Sequence, residues 1–457
     1  MADPRFVAVI DIGKTNAKVL VFDVVRQLEL ERLGIANAVL HTGPYPHYNI
    51  DALWHFIVES LKALNGRHKI EAISIATHGA SAALLDQAGD LTFPVLDYEF
   101  DGPQRVVSEY NDLRPQFSET GSPRLPNGLN LGAQIFWLSK TYPAQFSKVR
   151  SIITYPQYWA YRLCGVMANE ATSLGCHTDL WDYDKTDYSS LVDRMGWRRL
   201  MPMVRKATDC LGTLLPQLAA EMGLNADTPV YCGIHDSNAS LLPHLMNRSS
   251  PFAVVSTGTW VISMAIGGKR VGLDPARDTL VNVNAFGNPV PSARFMGGRE
   301  FELLGHLFGE LPKQTDEAAV LQKQCMLLPA VVHGSGPFPQ RASSWLNDDH
   351  ATVAQRQVAA SFYLALVTST CLELAGADGE VVVEGPFVSN TFFMAMLSAA
   401  TGRPVFGTTE TTGTAFGAAL LCSQSTVIAG NAERAPLHDE RHKAYSAKWQ
   451  EAVSQSS

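Results

Sequence analysis

The sequence predicts an α/β fold made of two similar domains. Two stretches, FVAVIDIGKTNAKVLVFD (6–23) and PFAVVSTGTWVISMAIGG (251–268), each place a glycine-centred polar turn between two short apolar runs. A shift of 245 residues lays Gly13 on Gly258 and aligns the apolar positions beside them. Strand-like and helical stretches then alternate in both halves, and a chain of 457 residues exceeds the size at which one hydrophobic core stops growing. We therefore expect two α/β domains that face each other.

The first of these stretches has the pattern of a β-hairpin with a polar tip. One interpretation of the tip is purely structural, because Asp and Asn side chains hydrogen-bond nearby backbone in turns and Gly supplies positive φ. The other is a phosphate site, in which successive backbone N–H groups form a concave anion cradle, Lys14 adds positive charge and Asp11 holds a divalent metal. A Walker motif is excluded, since no GxxxxGK[ST] occurs and the turn leads into a strand.

The rest of the first half continues the α/β pattern. DALWHFIVESLKALNG (51–66) predicts an amphipathic helix that ends at Gly66. IEAISIATHGASAALLD (70–86) predicts a strand, a polar turn and a second strand. TPVYCGIHDSNASLLPHL (228–245) predicts a strand that ends in a His-Asp pair and leads into a helix. A polar pair at that place lies where α/β folds bind ligands.

The second half repeats the pattern after its own hairpin. Residues 351–376 carry a long apolar stripe and predict a helix, which strand EVVVEGP and helix NTFFMAMLSAATG follow. The segment from about residue 431 onward is charged and Ser-rich, and we expect it to be peripheral.

Composition excludes several classes of function. A formal net charge of −8 without a basic run argues against a nucleic-acid partner. We see no secretory signal and no run of 18 apolar residues, so a soluble, cytoplasmic protein without a membrane partner is expected. The seven cysteines are scattered singly, which fits reduced thiols and makes a structural zinc site a poor interpretation.

Four motifs resemble those of the FGGY family of carbohydrate kinases, which share the actin-like, ribonuclease-H-like ATPase fold. DIGKTN (11–16) is similar to the first phosphate hairpin of the family, and STGTW (256–260) to the second. VVVEGPFVSN (381–390) is similar to the adenosine segment, and GIHD (233–236) to the strand end that carries the catalytic aspartate. Together with LNLGAQIFWL (129–138), the forms of these motifs look closest to the rhamnulose and fuculose kinases.

The resemblance implies a domain plan. Residues 1–240 would form an N-terminal domain with the sugar site, the first phosphate hairpin and the catalytic aspartate. Residues 241–430 would form the nucleotide-binding domain, with a cleft between the two, and 431–457 a peripheral tail.

The resemblance also implies an activity. The expected reaction is ATP-dependent phosphorylation of a ketose (a pentulose, a hexulose or a 6-deoxyhexulose of the rhamnulose or fuculose type) at a primary hydroxyl, with Mg²⁺. Asp236 would be the general base, although its alternative interpretation is a helix N-cap. Asp11 would hold Mg²⁺, although it could equally cap the turn. The remaining implied roles are phosphate binding by Gly13, Lys14, Thr15, Asn16, Thr257, Gly258 and Thr259, adenosine binding by Gly385 and Asn390, and sugar binding by His78, Gly79, His235 and Asp236.

Two departures from the family pattern concern specificity. Pro386 and Phe387 stand where relatives usually have further glycines, so the base pocket is expected to differ from theirs and the preference for ATP is not fixed by the resemblance. Asp97 and Glu99 stand where relatives usually show an aromatic residue and an aspartate, so the sugar is not identified.

Other functions remain alternatives. A polyol kinase of the same family would share the nucleotide motifs, and a non-catalytic actin-like ATPase or sugar-binding regulator belongs to a different class. The presence of both Asp11 and Asp236 argues against the regulator, because a sensor needs no general base. A homodimer is compatible with a chain of this size, but no segment encodes one.

Overall fold

The structure is a computed structural model that describes residues 3–307, 311–408, 413–423 and 432–455. The chain divides into two compact units. The first is formed mainly by Met1–Asn247, and Val281–Pro289 and the helix Thr414–Leu420 join it. The second is formed mainly by Arg248–Leu280 and Val290–Thr411, with the C-terminal helix Glu440–Gln455.

The first unit contains most of the secondary structure. Its strands are β1 (Phe6–Ile12), β2 (Asn16–Asp23), β3 (Leu28–Ala36), β4 (Val39–Leu40), β5 (His47–Tyr48), β6 (Ala72–Thr77), β7 (Ala82–Leu85), β8 (Ser151–Thr154), β9 (Asn169–Glu170), β10 (Trp181–Asp182), β11 (Asp187–Tyr188), β12 (Val204–Arg205), β13 (Cys210–Thr213), β14 (Pro229–Tyr231) and β15 (Ile234–His235). Its helices are α1 (Ile50–His68), α2 (Val107–Leu113), α3 (Phe117–Thr120), α4 (Leu131–Thr141), α5 (Pro143–Phe146), α6 (Tyr155–Cys164), α7 (Ala171–Leu174), α8 (Ser190–Arg194), α9 (Pro216–Met222) and α10 (Asp236–Asn247).

One mixed sheet organises this unit, in the order β13-β14-β6-β1-β2-β3, with β15 also paired to β6. β1 and β2 form the predicted hairpin, and β1 runs parallel to β6. Alternate residues of β1 face opposite ways, so Ala8 and Ile10 pack with residues of α1 and α6, whereas Val7 and Val9 pack with residues of α10. Helices on both faces explain why β1 is an almost continuous apolar run.

The second unit repeats the theme. Its strands are β16 (Phe252–Thr257), β17 (Val261–Ile266), β18 (Thr279–Val283, of which residues from Val281 onward are assigned to the first unit), β19 (Pro289–Phe295), β20 (Met326–Leu328), β21 (Ser344–Leu346), β22 (Glu380–Glu384), β23 (Val405–Thr408) and β24 (Ala432–Arg434). Its helices are α11 (Gly297–Leu303), α12 (Gln314–Lys323), α13 (Val353–Leu374), α14 (Thr391–Thr401) and α16 (Glu440–Gln455), while α15 (Thr414–Leu420) belongs to the first unit.

The sheet of this unit has the order β18-β19-β17-β16-β22-β23-β24. β16 pairs antiparallel with β17 and parallel with β22, just as β1 pairs with β2 and β6. The internal similarity of the sequence therefore reflects two sheets in which a polar-tipped hairpin lies next to a parallel strand. The predicted pair of hairpins is confirmed.

Two boundaries differ from the expectation, and one predicted pair of strands is confirmed. Helix α1 continues past Gly66 to His68 and ends at Lys69, whose φ of 52° places it in the left-handed region. β6 and β7 are both strands, but β7 leaves the main sheet and pairs with β8. Helix α10 runs unbroken to Asn247, so the division between the units falls after that residue and not at 240.

The C-terminal segment is not peripheral, because its helix closes the core of the second unit. Tyr445 and Trp449 are 0% and 1% exposed. The Tyr445 hydroxyl donates to the Cys325 carbonyl oxygen at 2.7 Å, and Trp449 Nε1 donates to the Leu327 carbonyl oxygen at 2.8 Å. Composition suggested a surface tail because the segment is charged and Ser-rich, but the large residues of α16 share one buried face.

Within the described residues, one helix is long and apolar enough to cross a membrane. This helix, α13, is mostly buried in the core of the second unit.

Truncating Trp449 tests the packing of α16. Trp449→Ala removes a buried indole and its hydrogen bond, so we expect the free energy of unfolding of the second unit to fall by about 3–5 kcal/mol. Leu437→Ala is the control, because Leu437 is 98% exposed and its loss should change stability by less than about 0.5 kcal/mol. Urea unfolding measures both, and equal small effects would mean that α16 does not pack as described.

Candidate active site

The register of three parallel strands gathers the candidate residues of the first unit. Asp11 pairs with Ala76, which pairs with Ile234. One position further, Thr77 pairs with both Ile12 and His235. The carboxyl ends of β1, β6 and β15 therefore lie at the same edge of the sheet, and the residues there are Asp11, His78, His235 and Asp236.

A glycine redirects the chain just before this edge. Gly233 has a φ of 85°, and a Cβ at this position would lie 2.8 Å from the Ile75 carbonyl oxygen. The strand is interrupted here, and the Gln157 side-chain amide donates to the carbonyl oxygens of Cys232 (2.9 Å) and Gly233 (3.1 Å). This break separates β14 from β15 and sets the position of the His235-Asp236 pair.

Asp236 is the first residue of α10, and its side chain is 31% exposed. Its Oδ1 accepts a hydrogen bond from the Ser237 backbone N–H at 2.6 Å and lies 3.1 Å from His235 Nε2. The positive end of a helix dipole stabilises a carboxylate at this position. The two interpretations of Asp236 are thus compatible: it contacts the helix start and still presents a partly exposed carboxylate.

Asp11 is a partly buried carboxylate near Asp236. Burial raises its pKa to about 6, an effect that Lys18 opposes and the Asp236 charge reinforces. In the part of the chain that the structure describes, no group donates a hydrogen bond to this carboxylate. Mg²⁺ needs only one or two carboxylates when phosphate oxygens and waters complete its shell, so the residues present fit this ion. No cluster of three or more metal-binding side chains occurs among the described residues.

The tip of the first hairpin is a tight polar turn. The Gly13 N–H donates to the Asn16 carbonyl oxygen at 2.9 Å, and the Asn37 side chain donates to the Gly13 carbonyl oxygen at 2.8 Å. Thr15 and Asn16 are exposed, as phosphate ligands would have to be. Lys14 differs from the expectation of a free phosphate-binding lysine, because its ammonium forms ion pairs with Asp97 and Glu99.

His78 presents a buried acceptor without a partner. Its Nδ1 lies 2.8 Å from the Gly79 carbonyl oxygen, which requires the proton on Nδ1. Burial lowers the pKa of the ring to about 4, so it is neutral near pH 7. The lone pair of Nε2 has no hydrogen-bond partner among the described residues. The rings of Tyr48 and Tyr98 lie 5.1 and 5.5 Å from the His78 ring and bound the space around it.

His235 lies between the candidate base and a cysteine. Its Nε2 is 3.5 Å from Cys176 Sγ and 3.1 Å from Asp236 Oδ1. Burial disfavours both charged forms, yet His177 and His235 lower the pKa of Cys176 to about 5, and Cys176 and Asp236 raise that of His235 to about 9. The Cys176–His235 contact therefore lies directly beside Asp236, and the neighbouring charges favour a thiolate and a protonated ring there.

Gly79 makes this packing feasible. A Cβ at this position would lie 2.9 Å from His235 Nε2 and 3.4 Å from Cys176 Sγ. The structure thus brings together all the predicted sugar-side residues, His78, Gly79, His235 and Asp236.

In the second unit, the tip of the β16–β17 hairpin lies beside the start of α11. The Gly258 N–H donates to the Trp260 carbonyl oxygen at 3.0 Å, and Thr259 accepts from the Arg299 N–H at 3.3 Å. Thr257 Oγ1 donates to the Glu384 carbonyl oxygen at 2.6 Å and accepts from the Phe387 N–H at 3.1 Å. These bonds join the hairpin to the predicted adenosine segment.

Asn390 has a structural role in this segment. Its Oδ1 caps helix α14 by accepting from the Phe393 N–H at 3.0 Å, and its Nδ2 donates to Ser361 Oγ at 3.0 Å. An adenosine contact by its side chain stays a prediction.

Both halves of the sequence match models of one family. Residues 6–243 match the N-terminal domain of the FGGY family of carbohydrate kinases, and residues 249–430 match the carbohydrate kinase FGGY C-terminal domain. The chain belongs to the FGGY family of carbohydrate kinases. The predicted family and its two-domain, actin-like α/β fold are confirmed.

Curated proteins that match this sequence are only distantly similar to it. An L-fuculokinase of Salmonella typhi is 25% identical over 58% of this chain and 57% of its own length. A rhamnulokinase of Halalkalibacterium halodurans is 23% identical over 55% of this chain and 54% of its own. The chain therefore spans little more than half the length of the curated relatives that it matches.

Solved structures match over the full length. A carbohydrate kinase from Novosphingobium aromaticivorans is 34% identical, with a TM-score of 0.91 over 100% of this chain and 99% of its own. A ligand-bound xylulose kinase from Lactobacillus acidophilus has a TM-score of 0.80 over 98% of this chain and 97% of its own, at 15% identity, and shares the FGGY fold.

Sequence reasoning missed Cys176 and the role of Asp97 at this FGGY site. Cys176 stands alone in the sequence, and no local pattern connects it with His235. The sequence showed only that Asp97 differs from the residue that family members usually have at this position. Its ion pair with Lys14 depends on the tertiary structure.

Replacing Gly385 tests how closely the second hairpin and the adenosine segment pack. Gly385 has a φ of 88°, and a Cβ there would clash with the Thr257 carbonyl oxygen. We expect Gly385→Ala to weaken ADP binding by about tenfold or more, as a strained backbone shift of over 1 kcal/mol would. Gly402→Ala is the matched control, since Gly402 also has positive φ but no atom within 4 Å of the added Cβ. Calorimetric titration with ADP measures both affinities, and equal values would contradict the prediction that Gly385 lies at the nucleotide site.

The state of Cys176 can be measured by the ultraviolet absorbance of its thiolate. We expect wild-type protein to lose a thiolate signal as the pH falls through about 5, because the depressed pKa keeps Cys176 ionised above that value. Cys176→Ser should lack this transition, whereas Cys232→Ser should keep it, since burial raises the pKa of Cys232. A wild-type curve identical to that of Cys176→Ser would exclude the ion pair.

Proposed function

We propose that this protein transfers the γ-phosphoryl group of Mg-ATP to a primary hydroxyl of a ketose. The observation that carries the proposal is the meeting of Asp11, His78 and Asp236 at one sheet edge, with an unpartnered acceptor on His78. A metal-binding carboxylate, a group that holds a hydroxyl and a base are the parts that this reaction needs.

Asp236 acts as the general base. Its carboxylate is partly exposed and fixed by the Ser237 N–H and by His235, so it can accept the proton of the attacking hydroxyl without a change of geometry. The Cys176–His235 pair keeps a positive ring next to this carboxylate and favours its ionised form.

The sugar is oriented by His78 and its neighbours. The Nε2 lone pair of His78 accepts a hydrogen bond from a sugar hydroxyl, which removes the cost of an unsatisfied buried acceptor. Gly79 leaves room beside His235 for this arrangement.

The nucleotide contacts predicted from the family resemblance are part of this proposal. Gly13, Thr15 and Asn16 of the first, and Thr257, Gly258 and Thr259 of the second, contact phosphates, while Gly385 and Asn390 lie at the adenosine. Mg²⁺ held by Asp11 would neutralise charge on the phosphates.

The substrate class rests on the relatives. L-Fuculokinase and rhamnulokinase are the names of curated proteins matched in sequence, and they favour a ketose over a polyol. A cytoplasmic location and a homodimer stay predictions.

The test is sugar-dependent release of ADP from Mg-ATP across a panel of ketoses, aldoses and polyols. We expect one ketose to give the highest kcat/KM and Asp236→Asn to lower kcat by about 10²- to 10⁴-fold, because the general base is lost. Asp227→Asn, at an exposed position before β14, is the matched control and should retain full activity.

Two results would contradict the proposal. If a polyol gave a higher turnover rate than every ketose in the panel, the protein would be a polyol kinase. Undiminished turnover of Asp236→Asn would show that another group takes the proton.

A further inference from the structure

Lys14 occupies an unusual environment for a hairpin-tip lysine. Its side chain is 19% exposed, and its ammonium pairs with Asp97 and lies 3.4 Å from Glu99 Oε2. The same ammonium lies 5.2 Å from the centre of the Tyr48 ring and 4.8 Å from that of Tyr98. Two carboxylates and two aromatic faces thus enclose one positive charge, an arrangement favoured by cation–π attraction.

Asp97 is held firmly in place. Its backbone N–H donates to the Pro46 carbonyl oxygen at 3.0 Å, and its Oδ1 accepts from the Glu99 N–H at 3.2 Å and the Tyr48 hydroxyl at 3.4 Å. Its side chain is 8% exposed. A carboxylate so buried needs a cation, and Lys14 supplies it.

This group borders the proposed sugar site. Tyr48 and Tyr98 flank Lys14 and also lie against His78. The charges of both Lys14 and Asp236 act on His78. Asp97 balances Lys14 and Cys176 balances His235, so Glu99 and Asp236 leave the region negative overall.

We propose that the Lys14–Asp97 ion pair sets the substrate class, admitting neutral polyhydroxylated sugars and rejecting sugar acids. This inference rests on the proposed function and deepens it. A sugar carboxylate near His78 would meet Glu99 and Asp236 without a free cation, because Lys14 and His235 are already paired. Hydroxyl groups carry no such penalty.

The two single substitutions act in opposite directions. Asp97→Asn removes the buried partner and leaves Lys14 with only the exposed carboxylate of Glu99, so its ammonium becomes able to bind a sugar carboxylate. Lys14→Met leaves Asp97 buried and unpaired, which weakens the sugar side of the site. The double variant has neither charge.

The experiment compares ketoses with aldonates of the same chain length, measuring both Mg-ATP-dependent turnover and calorimetric binding. Lys14→Met should lower kcat/KM for the neutral sugar by about 30-fold or more, through the sugar KM, with the KM for ATP unchanged. Asp97→Asn should raise the aldonate-to-ketose ratio by about tenfold or more, and the double variant should lose that gain. Lys140→Met is the matched control and should change neither value, since Lys140 also contacts a carboxylate (Glu109, 2.9 Å) and an aromatic ring (Phe136, 5.3 Å) but is 49% exposed.

Contrary results are distinct. If Lys14→Met raised only the KM for ATP, Lys14 would be a phosphate ligand and the proposal would be overturned. An unchanged aldonate-to-ketose ratio in Asp97→Asn would also overturn it. If the wild type phosphorylates no sugar, the proposed function fails, but the calorimetric binding measurement still tests the inference. The inference stands if Asp97→Asn binds aldonates more tightly than wild type and is overturned if it does not.

Discussion

The parallel pairing of β6 with β1 on one side and β15 on the other is the constraint on which the site depends. This register fixes Asp11, His78 and the His235-Asp236 pair at one edge of the sheet, although they are far apart in the chain. The helices on both faces bury the strands and hold the register, because a slip by one residue would turn apolar side chains toward the wrong layer. Gly233 and Gln157 add the local break that lets α10 begin at Asp236.

Some buried charged side chains are paired within the fold, whereas other polar side chains at the site have no partner and remain available to a ligand. Lys14 is paired with Asp97, and Cys176 with His235, so these buried charges are compensated within the fold. By contrast, the Asp11 carboxylate and His78 Nε2 receive no hydrogen bond from the described residues. A buried polar atom without a hydrogen-bond partner lowers the stability of the fold, and a ligand that hydrogen-bonds to it removes this free-energy cost. The unsatisfied Nε2 of His78, at the same sheet edge as Asp236, thus supports the role proposed for it.

Local sequence pattern was enough to find both hairpins and helices α13 and α14, since period and turn residues are local signals. It also predicted that a strand ends at His235, but it did not predict the interruption that divides this strand into β14 and β15. Resemblance to known motifs gave the candidate site residues. The pattern could not show that Cys176 meets His235, 59 positions away, or that Lys14 meets Asp97, 83 positions away, because tertiary packing alone creates these contacts. It also misjudged α16, where Trp449 and Tyr445 outweigh a charged composition.

The central claim is that the two neighbouring carboxylates have separate tasks, metal binding for Asp11 and proton acceptance for Asp236. Measuring the Mg²⁺ dependence of single-turnover phosphorylation in Asp11→Asn and Asp236→Asn tests it most directly. The account predicts that Asp11→Asn raises the Mg²⁺ concentration needed for half-maximal rate, whereas Asp236→Asn lowers the rate at every Mg²⁺ concentration without shifting that midpoint. An unshifted midpoint in Asp11→Asn, or a shifted one only in Asp236→Asn, would contradict it.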